Sequence, residues 1–309
     1  MSTFHKISSI TNKNRISLLE DNIKSFLDWS FLHIGGFVNV SIPTSGVSGG
    51  NFHTLKNASD PVLKDRVWQS PRKDWIYENV GIVYENTGPV NFSGVYLNNT
   101  FLPAPTGSGN YTYNVNYPLG QIVFDKQVSA TSNVLASYAY RYIQVYKSSE
   151  NFWWKEVQKE TYNPSNFNKQ DYSITSVHRV QLPSIVVELI PRTVQIPYQL
   201  GSADNIIIQD VFLHIYAENS NQRNVIIDAL IHQKDKTLRL YDISSVIKNN
   251  RYTLNKFGNI NPSGYNYPDF IKYFSNYWCT IKDSNTVELN SLSSSLHNGI
   301  VRWSVEIFP

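Results

Sequence analysis

Two stretches of the chain repeat their apolar positions at helical spacing, while most of the rest alternates in period two. From Arg15 to about Trp29, the residues Ile16, Leu19, Ile23, Phe26 and Leu27 share one face, and Asp21, Lys24 and Asp28 lie off it. Asn14 suits an N-cap for this segment, and Gly35-Gly36 suit its end. A second helical pattern runs from Gln222 to about His232, with Val225, Ile226, Ala229 and Leu230 on its apolar face and Asn219 or Ser220 as cap. The pattern predicts two substantial helices, at about 15–32 and 221–233.

Strand signals fill most of the remainder. Residues 36–43 alternate and then meet the turn-rich segment 44–50, and residues 51–75 read as an extended loop ending on Trp68 and Trp75. Between 76 and 147, short strands follow one another closely. Val95–Leu97 and Thr100–Leu102 flank Asn98-Asn99, a pair suited to a two-residue hairpin turn. Residues 133–146 place Val134, Ala136, Tyr138, Tyr140 and Tyr142 on one side. Beyond a polar stretch to about 175, a second run of strands surrounds the second helix, and the last strand alternates Trp303, Val305 and Ile307 with Arg302, Ser304 and Glu306. Residues 249–273 read as loop.

The expected fold is therefore β-dominated α+β. Residues 1–75 and 148–309 form a discontinuous body with long connecting arms, and residues 76–147 form an inserted antiparallel β-sandwich module.

Composition narrows the function. Of 309 residues, 41% are hydrophobic, 14% aromatic and 17% charged. The aromatic and β-branched content excludes intrinsic disorder. The net charge of +3 does not mark a nucleic-acid or membrane-surface protein. The single Cys279 excludes an internal disulfide and a cysteine-built zinc site. No run approaches the roughly 18 apolar residues needed to span a bilayer. The first residues show no apolar leader pattern, so a chain made and kept in a cytoplasm is expected, with the triplets at Asn57, Asn91, Asn98 and Asn110 read as chance rather than glycosylation.

Chemistry is hard to find. The seven histidines show no metal-ligand spacing, although His214 and His232 would meet if the 206–217 strand packed beside the following helix. Asp210 and Glu218 flank the same strand and read as solvated strand ends. Cys279 sits in an apolar strand, where a buried inert thiol is the default. Neither a nucleophile elbow nor a phosphate-binding loop is present. The expectation is a protein without catalytic activity, metal or cofactor.

The aromatic wealth admits two readings. The tyrosines of 138–146 offer a platform for stacking on sugars or bases. Alternatively, low charge with abundant Tyr and Asn suits a surface built for permanent protein contacts, as obligate interfaces favour aromatics and avoid charge. The second is preferred, with Tyr138, Tyr140, Tyr142, Trp153 and Trp154 as the candidate interface.

The opening helix, the strand Ile208-Gln-Asp-Val-Phe-Leu-His-Ile-Tyr-Ala-Glu218 and the segment Asn221-Gln-Arg-Asn-Val-Ile-Ile-Asp-Ala-Leu230 together resemble the neck and tail-terminator proteins of tailed bacteriophages. The resemblance covers residues 15–40 and 177–245 and is one of pattern; the chain is longer than is common in the family. It implies a tail-terminator-like α/β body with two helices, interrupted by the inserted module. It further implies a virion structural protein, made in the host cytoplasm, that forms a homomeric ring of six subunits at the neck or tail end. Such a ring stacks on neck, tail-tube or sheath proteins around a channel through which DNA passes without sequence-specific contact, and needs no membrane. The competing class is a β-rich carbohydrate- or receptor-binding fibre or adhesin component.

Overall fold

The computed structural model describes residues 15–43, 52–58, 60–77, 82–104, 107–108, 111–150, 181–199, 204–294 and 296–309. They form a β-dominated α+β fold with few helices, built around two curled sheets.

The first sheet is a near-closed antiparallel barrel of seven strands with a two-residue eighth at its end. The seven are β2 (Thr54–Asn57), β3 (Val67–Gln69), β4 (Gly94–Leu97), β5 (Thr100–Pro103), β7 (Tyr111–Asn116), β8 (Gln121–Phe124) and β9 (Val134–Ala136), and the short β6 (Gly107–Ser108) pairs with β7, in the order β5-β4-β9-β2-β3-β8-β7-β6. The β4–β5 turn is the expected Asn98-Asn99 pair, with φ of 47° and 69°, the left-handed values that suit a tight hairpin. Where the sheet ends approach one another, the Tyr113 hydroxyl on β7 donates to the Leu102 carbonyl on β5 at 3.0 Å. Alternate residues point inward, so Leu55, Trp68, Val95, Val115, Ile122, Phe124, Val134 and Ala136 form one buried core.

The second sheet is a curled half-barrel of six strands. It comprises β11 (Gln144–Lys147), β12 (Ser184–Pro197), β13 (Asn205–Ala217), β14 (Thr237–Tyr241), β15 (Ser275–Ser293) and β16 (Leu296–Phe308), in the order β11-β12-β13-β16-β15-β14. Helix α1 (Arg15–His33) lies in its hollow and touches β11 and β12 on one side and β14 on the other. The buried amide of Asn22 closes this arrangement, donating to the Tyr241 carbonyl and accepting from the Tyr241 N–H, both at 2.9 Å. Helix α2 (Ser220–Ile231) packs on β13, β15 and β16, and its Leu230 carbonyl accepts the Trp303 indole N–H at 3.1 Å. Leu19, Ile23, Phe26 and Leu27 of α1 meet Ile185, Val211, Leu213, Ile281, Val301, Trp303 and Val305 in the larger core.

Two connections hold the halves together. Strand β1 (Phe37–Val40) pairs with β10 (Tyr138–Arg141), which runs on from the barrel toward β11. The loop 251–266, between α3 (Ile243–Lys248) and α4 (Tyr267–Phe274), reaches back to β7: Asn259 Oδ1 accepts the Val115 N–H at 2.8 Å, and the Gly258 carbonyl accepts the Tyr117 N–H at 3.1 Å. Gly258 holds φ +79°, and a Cβ there would meet Asn116 Oδ1 at 2.5 Å, so the strap needs glycine at that point.

Several expectations need correction. The segment 51–75 contains β2 and β3 rather than an unbroken loop, because Leu55, Val67 and Trp68 supply inward positions to the barrel. The antiparallel unit curls into a barrel instead of stacking as a sandwich. Within 76–147, β10 pairs with β1 and β11 joins the half-barrel. The stretch read as loop at 249–273 carries α4, whose Phe270 is buried against Tyr241 and Val246. The α2 stripe is rotated: Ile226, Ile227 and Leu230 are buried while Val225 faces solvent. On β13, Val211, Leu213 and Ile215 take the core side and leave Phe212 half-buried on the outer face. The two helices themselves fall where the periodicity puts them, and Asn219 caps α2 by accepting from the Gln222 N–H. Asn14 lies outside the described residues. Among the described residues, no helix is long and apolar enough to cross a membrane.

Candidate functional site: open sheet edges and a seam cleft

The half-barrel ends in two strands that are only partly covered. On β12, Ser184 to Val187 pair with β11, but no described strand pairs with the outer side of residues 188–197. On β15, β14 covers Ser275 to Thr280, and the outer side of 285–293 has no described strand partner. Both stretches carry exposed apolar side chains, Val194 and Ile196 on β12 and Val287 and Leu289 on β15. Together they are the largest departure from the rule that β proteins cover their edges.

Register fixes how the two stretches relate. Ser184 stands level with Tyr216, Asn298 and Asn290, whereas Val194 stands level with Ile208, Glu306 and Thr280. The open part of β12 is therefore level with the covered part of β15, and the reverse. The two open stretches occupy opposite corners of the sheet. Three antiparallel steps separate β12 from β15, so the strands run in opposite directions.

A bulge shapes the β12 edge. Register shifts between Leu189 and Thr193, and the buried Gln209 pins the extra chain by donating to the Ile190 carbonyl and accepting from Thr193 Oγ1 at 2.7 Å. Strand β15 shifts register in three places along its length.

A cleft of about 630 Å³ lies at the seam between barrel and half-barrel. Trp29, Trp75 and Tyr252 contribute to its walls, with Asp21, Lys24, Arg141, Lys147 and Glu150 among the polar groups. Lys24 pairs with Glu150 at 2.9 Å and Lys147 with Asp21 at 2.8 Å. Burial works against the Lys24 ammonium, but Glu150 and Asp28 outweigh it and hold its pKa above the ordinary lysine value. Burial likewise works against the Glu150 carboxylate, and Lys24 with the Lys147 N–H outweighs it and leaves the pKa below the ordinary value. At Glu20 burial wins: its carboxyl sits above the usual range although Ser148 donates to it from both N and Oγ. These groups are committed to one another between α1 and the end of β11, within the half-barrel.

No family model matches the chain, and no curated protein matches it.

The residues singled out from sequence are dispersed. Tyr138 and Tyr140 are interior, and Tyr138 stacks on Trp75 with centroids 4.3 Å apart. Tyr142 is half-buried and accepts a hydrogen bond from the Gln222 side chain of α2. Trp153 and Trp154 lie outside the described residues. The described tyrosines thus join parts of the chain itself. His214 pairs with Glu188 at 2.8 Å, whereas the His232 ring sits against the Asp228 carbonyl of its own helix. Asp210, read as a solvated strand end, takes Arg302 on both carboxylate oxygens at 2.9 and 2.8 Å. Cys279 is fully buried, and burial pushes its thiol up to about 12. Among the described residues, no group of three or more His, Cys, Asp or Glu is placed to hold a metal ion. Sequence reasoning missed the open edges, whose signal is the length of residues 184–197 and 275–293 relative to their covering neighbours.

Proposed function

We propose that the chain is a structural subunit of a tailed-bacteriophage virion, forming a homo-oligomeric ring at the neck or tail end that joins head and tail around the DNA channel. The half-barrel with α1 and α2 is the tail-terminator-like body of this reading, and the barrel is its insertion. The observation that carries it is the pair of open edges at opposite corners of one sheet, running in opposite directions. Such a body continues from copy to copy in one sense, which is what a closing ring requires. The low charge and aromatic abundance agree with a surface to be covered in an assembly. The role needs no catalysis or cofactor, and its neighbours are further neck, tail-tube or sheath proteins.

The seam cleft, with aromatic walls and a charged rim, favours a second reading, a carbohydrate- or receptor-binding fibre component. Electron-microscopic images of assembled particles carrying the labelled chain separate the two. A ring with a central hole at the head–tail joint supports the first, and trimers or single copies on fibres contradict it.

A further inference from the structure

We infer that the two open edges complete each other across neighbouring copies: the outer part of β15 in one copy adds, antiparallel, to the outer part of β12 in the next. This rests on the ring reading above and names its interface. Four observations converge on a second copy as the occupant. The strands run in opposite directions within one chain, so placing β15 beside the next copy's β12 gives an ordinary antiparallel pair without turning either sheet over. The stretches sit at opposite corners, so every added copy is related to the last by the same step and rotation, a head-to-tail repeat that forms a ring where the rotation closes.

Charge selects this pairing over the two-fold alternatives. Within the 192–196 window of β12 the charged residue is the exposed Arg192, Glu188 being half-buried and paired with His214, and the exposed Glu288 belongs to the β15 stretch. Head-to-tail pairing brings opposite charges together, while β12 on β12 or β15 on β15 brings like charges together. Selectivity is also built into the backbone. Pro191 in the bulge and Pro197 at the strand end bracket a short donor-bearing window at 192–196. A short, proline-bounded window resists indiscriminate strand addition but accepts one matched partner. Glu288 meeting Arg192 in an antiparallel register, with the β15 bulge between Thr286 and Glu288 counted as one step, sets Asn285 level with Val194, both on the outer face.

Two single-cysteine variants of the full chain, Val194→Cys and Asn285→Cys, test this with a short thiol-to-thiol crosslinker alongside native mass spectrometry. The native Cys279 is fully buried and stays silent. The expected result is that neither variant crosslinks alone, their mixture yields a one-to-one product, and the double variant yields a ladder ending at the ring number. Self-crosslinking of either single variant means a two-fold pairing and overturns the inference. Oligomers without any crosslink leave the ring reading standing and refute this interface, whereas monomers throughout refute both. Arg192→Glu is expected to weaken assembly about tenfold and Glu288→Arg in the same chain to restore it; loss without restoration counts against the charge pairing.

Discussion

The two curled sheets solve the edge problem differently. The barrel brings β7 and β5 together and bridges them through Tyr113, which nearly closes it within the chain. The half-barrel is larger, holds a helix in its hollow, and stops short of closure, because α1 occupies the space that further strands would close. Among the described residues, one sheet is complete as it stands and the other is complete only toward its own core. On the proposed reading, the difference puts assembly on the half-barrel rather than on the barrel.

Substitutions sharpen that contrast. Trp303 is fully buried beneath α2, and Trp303→Ala is expected to cost about 3–5 kcal/mol, read as a lowered denaturant midpoint for the half-barrel. Phe212→Asp is expected to cost only about 1–2 kcal/mol and to leave the chain folded, since the new carboxylate stands on the outer face beside His214. Unfolding of this variant in water would mean that the two faces of β13 have been assigned the wrong way round.

The seam supplies smaller effects. Asn259→Ala removes the acceptor for the Val115 N–H and is expected to cost about 1 kcal/mol, with faster amide exchange confined to β7 and the 251–266 strap. Exchange that accelerates equally in β12 and β15 would show that the halves are not separable units. Glu150→Gln is expected to cost about 0.5 kcal/mol at neutral pH, because the ion pair with Lys24 is partly solvated. The folded pKa of Glu150 lies below its unfolded value, so its contribution is complete above the ordinary glutamate pKa and fades as the pH falls through the folded one. Wild type and variant should therefore converge in melting temperature toward low pH; a gap that widens on acidification contradicts the assignment.

Local pattern makes much of this legible in the sequence. The two long helices, the Asn98-Asn99 hairpin and the wet and dry faces of β16 all follow from spacing over a few residues. What spacing could not convey is which strands meet. Thr54–Asn57 and Val67–Gln69 are too short to alternate visibly, and only the barrel's curvature recruits them. The tyrosines of β10 looked like a platform because alternation reveals a shared side but not what covers it; Trp75, distant in sequence, covers Tyr138. The open edges are a property of pairing partners, and single-chain periodicity carries no record of those.

The central claim is that the half-barrel, and not the barrel, continues from copy to copy in a head-to-tail sense. Native mass spectrometry of the full chain across a concentration series, wild type beside Arg192→Glu, tests it most directly. The account predicts a closed oligomer of more than two subunits for wild type and a shift toward monomer for the variant. A wild-type dimer as the end state, or assembly that Arg192→Glu leaves unchanged, would contradict it.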